Sequence, residues 1–201
     1  MKNLREPYLQ NNALLKPLIG LQKAVQRQSV RLNLISSQRV DSLWITLAEE
    51  STYGLPYLPA NGKVLDVGSG NGIPGLVWAV LRPDLFFVLA ESVNKKAVAL
   101  EAIRWECGLK NVTVFPGEVQ TLRNQTFDVI SARAVAPFDS LWQWTTLHRK
   151  TGTRYLLFRG SRDLNENSEY SDQLKEVALI QAGRIKLWVG DVVGLENNLD
   201  F

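Results

Sequence analysis

The sequence predicts an α/β fold, in which a mostly parallel sheet is covered by helices on both faces and preceded by N-terminal helices. Short apolar runs alternate with helical patterns from Lys63 onward, which is typical of strand–helix repeats around a parallel sheet. The stretch VLDVGSGNGIPG, residues 64–75, places a glycine turn between a buried strand and an apolar helix. The length of 201 residues fits a single domain with a substantial core. We therefore expect one domain, with residues 1–60 as a helical extension packed on a core of residues 61–201.

The individual elements follow from apolar spacing and from helix-breaking residues. Apolar residues recur at helical spacing over residues 12–32 and 39–55, and Lys23, Arg27 and Arg31 form a basic stripe on the first of these helices. Apolar runs that end at polar or glycine positions predict the strands. The predicted strands are residues 64–67, 85–90, 112–115, 127–131, 154–158 and 185–189, and the later predicted helices are residues 73–81, 94–107, 138–147 and 169–177.

Composition and charge exclude several classes of protein. The single cysteine, Cys107, excludes an internal disulfide and a cysteine-cluster metal site, and the single histidine, His148, leaves little room for a histidine metal site or a Ser–His–Asp triad. We predict no metal. No apolar run is long enough to span a bilayer and the N-terminal residues lack a signal-peptide core, so we predict a soluble, cytoplasmic protein without a membrane partner. The net charge of +3 arises in residues 1–60, with seven Lys and Arg against four Asp and Glu, which is compatible with a polyanionic partner.

The glycine loop has the features of a nucleoside-binding site. Gly68, Gly70 and Gly72 follow Asp66 at the end of the first predicted strand, and glycine allows positive φ angles and the close approach of a ligand. Glu91 ends the second strand roughly 20 residues later, where a carboxylate can accept hydrogen bonds from a ribose diol. The spacing is GxGxG rather than the GxGxxG of pyrophosphate-binding loops, which favours a nucleoside without a diphosphate. Simpler interpretations exist, a plain tight turn for the loop and a solvated strand-end carboxylate for Glu91.

The carboxyl ends of parallel strands meet at one edge of an open sheet, where such folds bind ligands. In this sequence those ends carry glycines, an acid, a polar–apolar pair and two arginines, which we interpret as a cofactor-plus-anion site. Glu118 and Val119 are expected to frame a base. Arg133 and Arg159 suit a phosphate or a guanine edge, unless they form only surface ion pairs. The candidate cofactor-binding residues are Asp66, Gly68, Ser69, Gly70, Gly72, Glu91, Ser92, Glu118, Val119 and Arg133, and the candidate catalytic residues are Arg133 and Arg159.

Four segments of the chain resemble one family. The glycine loop with its following IPG, residues 66–75, is the most specific, and residues 33–36, 131–136 and 157–160 are similar to the family's NLTS, SRA(F/V)A and LKG segments. On these residues the chain resembles the GidB/RsmG family, bacterial methyltransferases of small-subunit ribosomal RNA. The resemblance implies a Rossmann-like class I methyltransferase fold, S-adenosylmethionine as methyl donor and S-adenosylhomocysteine as product. It also implies transfer to N7 of a guanine in 16S ribosomal RNA, with the small ribosomal subunit or a precursor as partner; we expect a monomer.

The absence of a histidine or cysteine at a strand end agrees with that chemistry. Guanine N7 carries a lone pair and no proton, so its methylation needs orientation rather than a general base. A cytosine C5 methyltransferase would need a cysteine nucleophile at a strand end, whereas Cys107 lies in a predicted helix. An exocyclic-amine methyltransferase typically carries [DN]PP[YF] after strand four, where this chain reads SARAVAP.

The chain also departs from the family it resembles. Leu47 stands where that family has the histidine of its His-x-x-Asp-Ser segment. Glu118 and Arg159 stand where it often has arginine and lysine, and its C-terminal arginine has no counterpart near Phe201. Two alternatives therefore stay open: a small-molecule methyltransferase that uses S-adenosylmethionine, and a ribosome-binding relative without catalysis.

Overall fold

Helices and strands alternate along the chain from Lys63 onward. The computed structural model describes residues 12–31, 37–123, 125–160, 170–182 and 185–194. The helices are α1 (Asn12–Arg31), α2 (Ser37–Thr52), α3 (Gly75–Leu81), α4 (Asn94–Glu106) and α5 (Phe138–Trp144). The strands are β1 (Lys63–Val67), β2 (Phe86–Ala90), β3 (Val112–Phe115), β4 (Val129–Arg133), β5 (Arg154–Gly160), β6 (Leu174–Ala182) and β7 (Ile185–Val192). Short 3₁₀ helices lie at Leu55–Tyr57, Val119–Thr121, Thr146–His148 and Ser171–Gln173.

The strands form one sheet in the order β3-β2-β1-β4-β5-β7-β6. Strands β1 to β5 run parallel to one another. Strand β7 pairs antiparallel with β5, and β6 pairs antiparallel with β7. The order of the strands reverses between β1 and β4, and their carboxyl ends form the kind of crevice in which open α/β sheets bind ligands. The predicted mostly parallel sheet is thus confirmed.

Each face of the sheet carries its own apolar core. Trp78 of α3 and Leu100 of α4 pack with Phe158 on one face. Trp142 of α5 packs with Tyr155 on the other face. Burial of these large side chains supplies the main favourable term in the packing of helices on the sheet. The two separate cores confirm that helices cover both faces.

The N-terminal helices pack on the α3 and α4 side. Leu21 of α1 and Trp44 of α2 are buried in the same core as Trp78. The Trp78 indole N–H donates a hydrogen bond to the carbonyl oxygen of Ser51 in α2, at 2.8 Å. This bond satisfies a buried polar group of the central core and ties α2 to α3. Among the described helices none is long and apolar enough to cross a membrane.

The predicted helix at residues 169–177 is wrong. Residue 169 lies outside the described part of the chain, and the rest forms the 3₁₀ turn Ser171–Gln173 and the start of β6. Ala178 and Ile180 pack against the core two residues apart, which is the period of a strand. Pairing with β7 on both sides of an irregularity between Glu176 and Ala178 supplies long-range contacts that the local polar pattern does not reveal.

The fourth strand begins two residues later than predicted and extends through Arg133. Its first pairing with β1 joins Val64 to Val129, whereas the amide of Asp128 donates to the carbonyl of Lys63 outside the strand ladder. Arg133 therefore belongs to the sheet rather than to the loop after it. Residues 33–36, which carry part of the family resemblance, lie outside the described residues.

Candidate functional site

The glycine loop after β1 is held in place by its own backbone and by β2. The Ser69 amide donates to the carbonyl oxygen of Ala90 at 3.1 Å, and the Ser69 hydroxyl donates to the carbonyl oxygen of Asp66 at 2.8 Å. The Gly72 amide closes the turn by donating to the carbonyl oxygen of Ser69 at 2.7 Å. Ser69 is itself buried, so its side chain supports the loop from inside.

Gly70 and Gly72 serve different purposes in this loop. Both have positive φ angles, +56° and +82°, which residues with a Cβ rarely adopt. A Cβ on Gly70 would meet nothing nearer than the Gly68 carbonyl oxygen at 3.8 Å, so open space lies beside its backbone. A Cβ on Gly72 would overlap the side chains of Leu76 and Leu100. Gly72 therefore lets α3 and α4 pack against the loop, whereas Gly70 leaves room for a ligand.

Glu91 joins the glycine loop to the loop after β2. Its Oε2 atom accepts a hydrogen bond from the Gly70 amide and its Oε1 atom accepts one from the Val93 amide, both at 2.8 Å. Only 4% of the residue is exposed. Each carboxylate oxygen has two acceptor positions, so Glu91 can accept a further pair of hydrogen bonds from a diol. The geometry thus fits the predicted role of a ribose-binding acid.

A cavity of about 320 Å³ opens at the carboxyl ends of β1 and β2. Its volume lies within the range of small-molecule sites, which starts at about 300 Å³. Four predicted cofactor residues, Gly68, Ser92, Glu118 and Val119, line it. Val135 and Trp144 line it as well, and sequence reasoning did not select them. Trp144 is the last residue of α5 and Val135 follows β4 by two residues, so tertiary packing brings both to the cavity and no local sequence signal marks them.

Asp66 lies beneath the loop rather than at its surface. Only 1% of the residue is exposed. Its Oδ1 atom accepts a hydrogen bond from the Ser131 hydroxyl at 2.6 Å, and its Oδ2 atom accepts one from the Gly75 amide at 3.3 Å. Burial raises the pKa of Asp66 to about 6, and the opposing hydrogen bonds and the nearby charge of Arg133 do not offset it. Asp66 therefore braces the loop and carries a perturbed charge close to the site.

Arg133, at the carboxyl end of β4, forms an ion pair with α2. Its Nη1 atom donates to Glu50 Oε2 of α2 at 2.6 Å, and its guanidinium lies 4.6 Å from the ring centre of Phe158. Burial lowers the pKa of Arg133, against the opposing effect of Glu50. The Nε and Nη2 atoms are buried and have no hydrogen-bond partner among the described residues. Sequence reasoning missed Glu50, although it stands at the acidic position of the segment compared with His-x-x-Asp-Ser.

The two candidate catalytic arginines leave the sheet on opposite faces. Arg133 stacks on Phe158, which belongs to the core beneath α3. Arg159 follows Phe158 along β5, so its side chain leaves on the face of Leu157, with the core beneath α5. Arg159 is 5% exposed. The structure thus does not bring the two guanidiniums together as one clamp, and their catalytic roles stay predictions.

The single histidine and the single cysteine of the chain have mainly structural surroundings. The two ring nitrogens of His148 face the carbonyl oxygens of Gln125 and Val119, at 3.0 and 2.9 Å. Cys107 follows the last residue of α4 and is half-buried, and burial raises the pKa of its thiol. In the part of the chain that the structure describes, no group of three or more His, Cys, Asp or Glu side chains could hold a metal ion.

Solved structures of other proteins share this architecture. The ribosomal protein L11 methylase of Lactobacillus delbrueckii subsp. bulgaricus matches with a TM-score of 0.60 at 15% identity, over 74% of this chain and 79% of that one. A mutant of MtNAS in complex with S-adenosylmethionine matches with a TM-score of 0.63 at 13% identity, over 95% of this chain and 77% of that one. At such identities the likeness concerns the fold alone, and it confirms the predicted Rossmann-like class I methyltransferase fold.

Sequence comparisons identify the family. The chain is 34% identical over 147 residues to the ribosomal RNA small subunit methyltransferase G of Beutenbergia cavernae, with 73% of this chain and 69% of the relative covered. It is also 34% identical over 162 residues to the protein of that name from Halorhodospira halophila, with 81% and 77% covered. The GidB family model, described as rRNA small subunit methyltransferase G, matches residues 14–184. The predicted family is therefore confirmed, and the chain belongs to the GidB family of small-subunit ribosomal RNA methyltransferases.

Proposed function

We propose that this chain transfers the methyl group of S-adenosylmethionine to N7 of a guanine in 16S ribosomal RNA. The observation that carries the proposal is the cavity at the ends of β1 and β2, which adjoins the glycine loop held by Glu91. A nucleoside cofactor needs an acceptor for its ribose hydroxyls, room beside a loop backbone and an apolar contact for its base. Glu91, Gly70 and Val119 supply these three features in a chain of this family.

The residues around the cavity divide the task of holding the cofactor. Glu91 accepts from the ribose through the acceptor positions that the Gly70 and Val93 amides leave free. Val119, which is 4% exposed, offers an apolar contact to the adenine, and Glu118 stands exposed beside it. The proposed cofactor-binding set is completed by Asp66, Gly68, Ser69, Gly72, Ser92 and Arg133.

We assign N7 as the target atom because His148 and Asp66 are poorly placed to act as general bases. S-adenosylmethionine, when bound, would supply an electrophilic methyl group. The N7 lone pair would form the new N–CH3 bond as the S–CH3 bond breaks, with S-adenosylhomocysteine as the leaving group and no proton to remove. The ring nitrogens of His148 face backbone carbonyl oxygens, and Asp66 is buried beneath the loop with two hydrogen-bond donors bound. A reaction that requires no general base suits this site better than methylation of an amine or a hydroxyl.

Arg133 and Arg159 are proposed to act on the nucleotide rather than on the methyl group. A buried donor without an acceptor is unfavourable, so the Nε and Nη2 atoms of Arg133 would gain from an oxygen acceptor on the substrate. A phosphate oxygen or the O6 atom of guanine has that character. Because Arg159 leaves the sheet on the other face, we assign the two arginines to separate acceptors.

The proposal also covers the substrate particle, the oligomeric state and the cellular compartment. The substrate is the RNA within the small ribosomal subunit or a precursor, the enzyme acts as a monomer, and it works in the cytoplasm. Residues 1–60 serve as the helical extension of a core formed by residues 61–201. In this arrangement α2 contributes Glu50 to the site through Arg133.

The reaction is tested with radiolabelled S-adenosylmethionine and small ribosomal subunits from cells that lack this methylation. Digestion of the RNA to nucleosides should place the label in 7-methylguanosine. Label in another nucleoside would refute the N7 assignment, and an unlabelled RNA with intact cofactor binding would favour a small-molecule substrate or a binding-only role.

The residue assignments are tested by titration calorimetry with the cofactor. Glu91→Gln should weaken cofactor affinity at least tenfold, because one acceptor oxygen is lost, whereas Glu49→Gln on the exposed surface of α2 should leave it unchanged. Arg133→Gln should keep most cofactor affinity and lose methylation. Wild-type affinity in Glu91→Gln, or wild-type turnover in Arg133→Gln, would contradict the respective role.

A further inference from the structure

A second large concavity lies at the end of the sheet opposite the cofactor cavity. This basic groove has a volume of about 780 Å³ and is formed by α1, the C-terminal half of α3 and the segment that follows α4. Pro83 and Asn111, which line it, come just before β2 and β3. The groove therefore adjoins the amino ends of the strands, whereas the cofactor cavity adjoins their carboxyl ends.

The groove is lined by more cations than anions. The lining includes three cations of α1, Lys16, Lys23 and Arg27, and a fourth, Lys110, from the segment that follows α4. Its acidic residue is Glu106. Arg27 pairs with Glu106. The three lysines have no ion pair with another described residue, so three positive charges face the groove without a partner from that part of the chain.

The other lining residues offer little that could read a base. The described residues that line the groove include no aromatic side chain, so they offer no surface for stacking on a base. The amide nitrogen of Asn111 already donates to the carbonyl oxygens of Ala79 and Leu85, at 3.0 and 3.1 Å. What remains is a wall of apolar residues with cations along it.

The spacing of the cations suits a row of phosphates. Seven residues separate Lys16 from Lys23, which amounts to about 10 Å along a helix. Arg27, whose charge is shared with Glu106, lies one further turn along, about 6 Å away. A nucleic acid strand presents a charge roughly every 3.4 Å along its axis in a duplex, so a row of this length spans several phosphates.

We propose that the basic groove binds the sugar–phosphate backbone of the ribosomal RNA that the enzyme methylates, at a distance from the target base and without reading sequence. This rests on the proposed function for the identity of the RNA. The contact positions the substrate, because phosphate contacts supply affinity and orientation while base contacts supply specificity. It also gives the positive charge of α1 a function separate from the transfer site.

The test compares two double variants that remove the same charge. Lys23→Gln with Lys110→Gln neutralises two groove lysines, and Lys63→Gln with Lys175→Gln neutralises two exposed lysines elsewhere. Binding to purified 16S ribosomal RNA is measured over a series of salt concentrations. Loss of two phosphate contacts should lower the slope of log K against log salt by about 1.4 to 1.8, and weaken binding roughly 25- to 60-fold near 0.1 M salt. The control variant should keep the wild-type slope.

Methylation by the same preparations separates this proposal from the proposed function. At saturating RNA the groove variant should label 7-methylguanosine at the wild-type rate, with a raised KM. The groove proposal would be overturned if the groove variant kept the wild-type salt slope, or if the wild type did not bind RNA. It would also be overturned if the groove variant lost binding to polyglutamate, a polyanion without a sugar–phosphate backbone, but kept its binding to RNA. A lowered slope together with unlabelled RNA in the wild type would refute the proposed reaction and leave the groove as an RNA contact.

Discussion

The ionisation of Asp66 makes stability depend on pH in a direction opposite to that of most carboxylates. Its pKa is raised from 3.8 to about 6, so in that interval the folded protein binds a proton that the unfolded chain has released. The stabilising contribution of Asp66 is therefore fully present below about pH 3.8 and is lost as the pH rises through about 6. Burial is the largest cause, and Arg133, which would favour the charged form, does not compensate for it.

The size of this effect follows from the shift. A difference of about 2 pKa units corresponds to about 3 kcal/mol of unfolding free energy between the two limits. Between about pH 4.5 and 7.5, where the protein can be compared without strong acid, roughly 2 kcal/mol of it should be visible. Asp66 is fully enclosed, so solvent screening does not reduce this figure.

The assay compares Asp66→Asn with the wild type by urea denaturation across that range. Asparagine can accept from the Gly75 amide with its carbonyl oxygen and donate to the Ser131 hydroxyl, so it mimics the protonated acid. The free energy of unfolding of the wild type should fall by about 2 kcal/mol relative to the variant as the pH rises.

Asp128→Asn provides a control of opposite sign. Burial alone would raise the pKa of Asp128, but Lys150 and the Lys63 amide outweigh it and lower the pKa. Stability from Asp128 is thus present above the unfolded pKa and lost as the pH falls. A difference curve for Asp66→Asn that is flat, or that slopes as the Asp128→Asn curve does, would refute the reasoning on Asp66.

Three further predictions concern the surroundings of the site. Glu50→Ala should lower the unfolding free energy by about 3 kcal/mol, because it leaves the buried guanidinium of Arg133 without its counter-ion. Glu50→Gln keeps a hydrogen bond and should cost less, so equal urea midpoints for the two variants would contradict this prediction. Gly72→Ala should cost clearly more than Gly70→Ala, which carries only the left-handed backbone penalty of about 1–2 kcal/mol; thermal melts that coincide would contradict the packing role. His148→Phe removes the ring nitrogens that contact the carbonyl oxygens of Gln125 and Val119, and since Val119 keeps the Leu122 amide as a donor the variant should cost about 1–3 kcal/mol with weaker cofactor binding, which calorimetry checks.

The parts of the fold that the sequence predicted well are those with a local cause. The third strand is observed at Val112–Phe115, as predicted, because an apolar run there lies between turn residues. The glycine loop is recognisable from the sequence because glycine adopts without strain the positive φ angles found at Gly70 and Gly72. The order of the strands and the role of each glycine depend on neighbours far along the chain.

The errors have a tertiary cause. The helix predicted over residues 169–177 from a polar helical pattern includes the first four residues of β6, and the pairing of that strand with β7 is a long-range property. The pairing of Arg133 with Glu50 joins residues 83 positions apart, so neither spacing nor composition could reveal it. The opposite directions of Arg133 and Arg159 follow from strand alternation, but only once the true limits of β4 and β5 are known.

The position of α2 explains how the chain can differ from the family it resembles and still supply an acid to the site. Leu47, which stands in place of the histidine, packs against the core beneath α3, where burial of an apolar side chain is favourable. One turn later, Glu50 keeps a carboxylate at the acidic position and binds Arg133. Ser51, the next residue, accepts the hydrogen bond of Trp78 through its carbonyl oxygen and fixes α2 against the sheet. The missing histidine thus removes one side chain from α2 while the contact between α2 and the end of β4 is kept, so its absence does not argue for a binding-only relative.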